Sequence, residues 1–122
     1  VWGTGKASRE FLYVEDCADA VLLATINYNE SEPVNIGSGS EIVISELVDM
    51  IVRETKFKGE IRWQRDKPDG QPRRRLDVSR AREKFGFSAR VALADGLRRT
   101  VEWYEANRNT ELPQGESIIA AP

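Results

Sequence analysis

Leu93, Leu97, Val101 and Tyr104 recur at positions i, i+4, i+8 and i+11, a spacing that lays apolar side chains along one face of a helix running to about Asn107. A helix with one apolar face must be covered, and the partners this chain offers are short strand-like runs that alternate with further helices. Phe11-Leu12-Tyr13-Val14 reads as a strand, and Asp16 as the N-cap of a helix over Cys17 to Asn27 whose apolar stripe is widened by Leu22, Leu23 and Ile26. Val34-Asn35-Ile36 reads as a brief buried strand ending in the turn Gly37-Ser38-Gly39-Ser40. Ile42-Val43-Ile44 leads to Ser45, whose hydroxyl is expected to cap a helix from Glu46 to about Phe57, with Gly59 beyond its end. Glu60 to Gln64 alternates polar with apolar, as a half-exposed strand does. Lys67-Pro68-Asp69-Gly70-Gln71-Pro72 is turn chemistry, followed by an extended piece at Leu76-Asp77-Val78 and a helix opened by Ser79 that ends near Gly86. This alternation predicts an α/β fold with short strands and about four helices. Residues 1–108 form one domain in this reading, and 109–122, without any sustained period, form a disordered tail.

The absent residues bound the chemistry. There is no histidine and only one cysteine, Cys17, so Ser-His-Asp and Cys-His arrangements, a histidine acid or base, Cys/His zinc sites and an internal disulfide are all excluded. Cys17 falls inside a helical pattern and is expected to be a small core residue. A single thiol suits a reducing compartment, so a cytoplasmic location is expected. Net charge is −2, from 18 Lys+Arg against 20 Asp+Glu, which argues against nucleic acid as a partner. No run approaches the roughly 20 apolar residues of a membrane span, so no membrane partner is expected. A chain that opens on Val1, without methionine, is expected to be processed, excised or incomplete.

Three polar clusters remain as candidate sites: Trp2-Gly3-Thr4-Gly5 with Arg9, Asn35 to Ser40, and Asp69 to Arg75. Arg73, Arg74 and Arg75 follow a proline-rich turn, and guanidinium forks can clamp phosphate oxygens; the same arginines could equally pair with Asp66 and Asp77. Alternation sends Arg73 and Arg75 to one face of an extended segment and Arg74 to the other. Trp2 could stack on a base or plug a domain boundary, and Arg9 could neutralise phosphate or pair with Glu10 or Glu15. Gly3-Thr4-Gly5 and Gly37-Ser38-Gly39 each give only the first half of a dinucleotide fingerprint, with Ser8 and Ile42 where the third glycine belongs. Neither is read as a nicotinamide-binding loop.

Taken together and in order, Val1-Trp2-Gly3-Thr4-Gly5, Arg9-Glu10-Phe11-Leu12-Tyr13-Val14-Glu15-Asp16, Asn35-Ile36-Gly37-Ser38-Gly39, Lys67-Pro68-Asp69-Gly70-Gln71-Pro72-Arg73 and Leu76-Asp77-Val78-Ser79 resemble the GDP-L-fucose synthase family of extended short-chain dehydrogenase/reductases. The resemblance runs from Val1 to about Asn107 and implies the C-terminal substrate-binding portion of a two-domain parent, with the Rossmann core missing. It implies NADP(H) bound by that missing N-terminal domain, a GDP-linked sugar as ligand, and a homodimeric parent. By the same resemblance Trp2, Arg9 and Asp69 are substrate-binding residues, and a broader analogy with nucleotide-sugar enzymes adds Arg73, aimed at the diphosphate. The family's catalytic Tyr-x-x-x-Lys pair has no counterpart here, since Tyr13, Tyr28 and Tyr104 are followed four residues later by Cys17, Glu32 and Arg108. The chain is therefore expected to bind rather than react, and to be inactive alone. Two other readings stay open: part of a UDP-sugar 4-epimerase or dehydratase, and a stand-alone, non-catalytic nucleotide-sugar-binding module.

Overall fold

A computed structural model describes residues 1–108. Along the chain run β1 (Ser8–Glu10), α1 (Val14–Asn27), β2 (Glu41–Val43), α2 (Ile44–Glu54), β3 (Arg73–Arg74), α3 (Ser79–Phe85) and α4 (Leu93–Asn107). The expected α/β class and four helices are present. The strands form one sheet in the order β2-β1-β3, with β1 antiparallel to β2 and parallel to β3.

Two apolar contacts hold the helices. On one side α1 meets α3, burying Ala20, Ala81, Phe85 and Phe87, with Leu12, Leu23, Val34 and Ile36 packed around them. Small alanines at the contact let the helices approach, and Tyr28 closes the end edge-on to Phe85, ring centroids 5.8 Å apart. On the other side α2 packs against α4, and there Gly96 is required because a Cβ would lie 2.9 Å from the Tyr13 ring. The two helices placed by period and C-cap, α3 and α4, stand where the sequence puts them. Gly86 ends α3 in the left-handed region at φ 71°, its N–H bonded back to the Ala81 and Arg82 carbonyls.

The strand assignments shift, for tertiary reasons. The ladder is at Ser8–Glu10, not at Phe11–Val14, because helix α1 already begins at Val14. Asp16 is not its cap. The carboxylate is 2% exposed and accepts the backbone N–H groups of Arg90, at 3.1 and 3.2 Å, and Val91, at 2.9 Å, tying the α3–α4 connection to the start of α1. Ser45 is likewise inside its helix: Ile44 and Ser45 donate their N–H groups to the carbonyls of Ala7 (2.9 Å) and Gly5 (3.0 Å), so neighbouring backbone does the work expected of a hydroxyl. Helix α2 stops at Glu54 and Lys56 takes a positive φ of 52°, short of Gly59. Val34–Ile36 and Leu76–Val78 pair with no strand among the described residues, and Glu60–Gln64 contributes one bridge, Gln64 to Trp2.

The wide stripe of α1 is only half used. Ala20, Leu23 and Ala24 face the core, whereas Val14, Val21, Leu22 and Ile26 are exposed. Cys17 is also exposed, which corrects its assignment as a core residue: at its turn of α1 the covered side is the one holding Asp16 and Ala20. The expected tail, 109–122, lies outside the described residues.

Candidate functional site

The N-terminal segment and the loop before β3 are laced together. The Val1 backbone nitrogen donates to the Arg62 carbonyl (2.7 Å), Gln64 N–H to the Val1 carbonyl (2.8 Å) and Gly3 N–H to the Gln64 carbonyl (2.9 Å). Thr4 then closes on the loop, its backbone N–H reaching Asp69 Oδ1 at 2.5 Å and its hydroxyl donating to Oδ2 at 2.6 Å. Gly3, at φ 80°, leaves room for this carboxylate, which a Cβ there would strike. The two Thr4 bonds hold the Asp69 carboxyl below its ordinary range. Trp63 packs where any side chain at Gly5 would stand, 2.6 Å from its would-be Cβ.

Ser8 N–H continues the join to the Pro72 carbonyl at 2.9 Å, which starts the parallel pairing of β1 with β3. Arg9 lies in that pairing. Its Nη1 donates to the carbonyls of Ser8 (2.6 Å) and Gln71 (2.8 Å), so the guanidinium is held along the rim of the 69–72 loop with Nε and Nη2 left for another acceptor. Glu10 points the other way and joins three segments: Oε1 accepts from Gly39 N–H at 2.8 Å and the Ser38 hydroxyl at 3.5 Å, and Oε2 from Leu76 N–H at 2.8 Å.

Ser8, Arg73 and Glu41 form a cluster on the sheet face opposite Arg9. Arg73 Nε donates to both Glu41 oxygens at 2.9 and 3.0 Å, Nη2 lies 2.6 Å from Oε1, and the Ser8 hydroxyl donates to Oε2 at 2.9 Å. These bonds lower the Glu41 pKa and raise that of Arg73, with Arg75 lowering Glu41 further. Asp77 is lowered chiefly by its bonds to Ser79, with a smaller contribution from Arg75.

Of the four residues read as a substrate site, Trp2, Arg9 and Asp69 are brought to one seam between residues 1–9 and 64–72, with Trp2 71% exposed at its rim. Arg73 is not. Pleat alternation sends it through the sheet to Glu41, and its register partner is Ser8; the arginine level with Arg9 is Arg74. Thr4, Glu10, Glu41 and Arg74 carry contacts or positions not foreseen from sequence. Thr4 and Glu10 lie inside the motifs that stood out, but the bonds they make span 65 and 66 residues, beyond any local pattern.

The two glycine turns offer nothing to a dinucleotide. A phosphate needs free N–H groups at such a turn, and here Asp69 takes that place beside Gly3 and Glu10 beside Gly37 and Gly39. Among the described residues no group of acidic or cysteine side chains is arranged to hold a metal ion. What the seam can do is grip: a fixed guanidinium for anionic oxygen, an exposed indole face, and a carboxylate with lone pairs beyond those Thr4 uses.

Comparison with known proteins agrees with the resemblance read from the motifs. Residues 1–37 match the model of the NAD dependent epimerase/dehydratase family. The chain is 45% identical over 107 residues to a probable GDP-L-fucose synthase 1 of Oryza sativa subsp. japonica, covering 88% of this chain and 32% of that protein. Its fold is similar to that of a GDP-L-fucose synthetase from Naegleria fowleri bound to NADP, at 27% identity and a TM-score of 0.82, over 90% of this chain and 35% of the other. It is also similar to a UDP-glucose 4-epimerase with UDP-glucose from Thermotoga maritima, at 30% identity and a TM-score of 0.79, over 87% and 34%. The chain thus spans about a third of the length of the relatives it matches.

Proposed function

We propose that this chain is the nucleotide-sugar-binding portion of an NADP(H)-dependent epimerase/reductase acting on GDP-4-keto-6-deoxy-mannose, inactive without the remainder of that enzyme. The observation that carries the reading is the Arg9 guanidinium, fixed on the Ser8 and Gln71 carbonyls at the Asp69 loop, in a chain 45% identical to a probable GDP-L-fucose synthase. In this reading Arg9 takes diphosphate oxygen, Trp2 offers its ring to the nucleoside, and Asp69 shapes the loop while accepting from a ligand donor. Arg73 contributes by holding Glu41 and the sheet behind them. NADP(H) belongs to the remainder, whose Rossmann domain would also carry the hydride chemistry. The exposed face of α1, with Val14, Val21, Leu22 and Ile26, is the surface offered to that domain. A homodimeric parent and a cytoplasmic location belong to the same reading, on the strength of the family resemblance.

Calorimetric titration of the chain with GDP and with UDP tests the ligand class: tighter binding of GDP is the expected result. Tighter UDP binding would overturn it in favour of a UDP-sugar 4-epimerase portion, the reading favoured by the likeness to the Thermotoga maritima enzyme. For the whole protein the expected result is NADPH consumption on addition of GDP-4-keto-6-deoxy-mannose. If neither a GDP-sugar nor a UDP-sugar elicits NADPH consumption, the non-catalytic binding module becomes the better account.

A further inference from the structure

We propose that Thr4 is a positioning residue of the seam, one that meets no ligand itself but fixes the orientation in which Asp69 does, an inference that rests on the nucleotide-sugar reading and adds to it a residue acting through another. Gly3-Thr4-Gly5, closed to a dinucleotide, is built instead around a carboxylate. Gly3 and Gly5 are buried and both take a positive φ, 80° and 75°, which residues with a Cβ rarely adopt. A Cβ at Gly3 would strike Asp69 Oδ1, and one at Gly5 would lie 2.6 Å from the Trp63 ring. Between them Thr4 turns both of its donors on the same side chain, its N–H to Oδ1 at 2.5 Å and its hydroxyl to Oδ2 at 2.6 Å.

The torsion that turns an aspartate carboxylate is soft when nothing holds it. Here both oxygens are engaged, so the group cannot rotate without losing a bond, and each oxygen keeps a lone pair for a further donor. The loop backbone does not wait on Thr4 for its place. Gln64 accepts from Gly3 at 2.9 Å before Asp69, and after it Gln71 accepts from Arg9 at 2.8 Å and Pro72 from Ser8 at 2.9 Å. Thr4 adds to that hold, and it alone sets where the carboxylate points.

The same two bonds set how firmly Asp69 keeps its charge. They are the largest causes holding its carboxyl below the ordinary range, and the Gly5 N–H and the Lys6 charge add less. The other charged groups nearby are Arg9, whose Nη2 would lie 3.5 Å from a Cβ on Gly70, and Asp66 and Lys67, which pair with each other at 3.7 Å. Removing the Thr4 hydroxyl alters none of these charges. A ligand donor therefore meets an acceptor already ionised and already aimed, and an ordered partner binds more tightly than one that must be ordered on contact.

The test is a double-mutant cycle read by calorimetric titration of the full chain with GDP and with UDP. The variants are Thr4→Val, Thr4→Ser, Asp69→Asn and the Thr4→Val/Asp69→Asn pair, with Thr4→Ala in place of the valine should that disturb the fold by circular dichroism. Thr25→Val is the remote control, since that hydroxyl bonds to the Val21 carbonyl within α1. At neutral pH Asp69→Asn should weaken GDP about tenfold, as loss of one charge-assisted bond does, and Thr4→Val about threefold to fivefold, as partial loss of that bond does. Thr4→Ser, which keeps the hydroxyl, and Thr25→Val should each change it less than twofold. Once Asp69 is asparagine, Thr4→Val should cost nothing further, whereas a purely structural Thr4 would cost the same in both backgrounds. As pH falls towards the carboxylate range, about 4, wild-type affinity should fall as Asp69 protonates. That fall should begin at higher pH in Thr4→Val and stay in place in Thr4→Ser. Equal GDP affinity in wild type and Thr4→Val, equal losses in the two backgrounds, or an acid limb that Thr4→Val does not move would each overturn the role of Thr4 and leave the GDP reading standing. If UDP binds more tightly than GDP and the cycle holds for UDP, the role stands and the GDP assignment falls. If neither nucleotide binds, both fall.

Discussion

Replacing Asp16 with alanine tests how the two apolar contacts are joined. Its buried carboxylate satisfies the N–H groups of Arg90 and Val91, partly buried donors in the connection between α3 and α4. Hydrogen bonds to a charged acceptor contribute about 1.5–3 kcal/mol each, and an unpaired donor retains its desolvation cost. Two donors set a ceiling near 6 kcal/mol, which water reaching the loosened connection lowers to about 2–4 kcal/mol. Removing a negative charge from the first turn costs about 0.3–1 kcal/mol, while alanine's better helix propensity returns about 0.5 kcal/mol, so these nearly cancel. Asp19→Ala is the internal comparison, because Asp19 also meets Arg90 but through an exposed ion pair, which contributes at most about 1 kcal/mol. Urea unfolding followed by far-ultraviolet circular dichroism should give a clearly lower midpoint for Asp16→Ala at unchanged slope, and little change for Asp19→Ala. If the two variants lose equal stability, the buried-acceptor argument is wrong.

Other consequences are open to measurement. The folded-state pKa of Asp69 is lowered by Thr4, so its contribution to holding the loop is full above the ordinary carboxylate range and lost as pH falls through the folded value. Tryptophan fluorescence should report the loop's release on acidification through Trp2 and Trp63, and Thr4→Val should move that transition to higher pH; an unmoved transition would detach it from Asp69. Gly86→Ala meets no neighbouring atom, so its cost should be backbone strain alone, about 1 kcal/mol in a chemical-unfolding experiment; a loss several times larger would mean that packing also depends on that position. The exposed α1 face should make the isolated chain self-associate, so sedimentation of Leu22→Lys or Ile26→Lys should show less association than wild type, and equal behaviour would exclude this face as the cause.

How much of the site was legible can be argued residue by residue. Trp2, Arg9 and Asp69 were singled out by the family resemblance that their motifs carry, Trp2 ahead of Gly3-Thr4-Gly5, Arg9 before an apolar run and Asp69 in a Pro-Asp-Gly turn, and the fold brings all three to one seam. Arg73 and Arg74 could not be separated that way. Alternation says that they oppose each other, but only the register of β3 on β1 says which one keeps company with Arg9.

The same division runs through the fold. Helices α3 and α4 were readable because their causes are local: a 3.6-residue apolar period, and a glycine able to adopt the left-handed conformation that ends a helix. Composition alone showed that these 122 residues supply no histidine acid, base or ligand. The strands were not readable, because a strand of two or three residues is defined by its partner's backbone, and those partners lie 31 to 65 residues away. Asp16 and Ser45 make the point most directly, since both have the side chains of helix caps. One was drawn instead to the N–H groups of a connection 74 residues along, and the other was displaced by carbonyls from the N-terminal segment. Local propensity decides which residues can turn, cap or coil; the long-range supply of donors and acceptors decides which of them do.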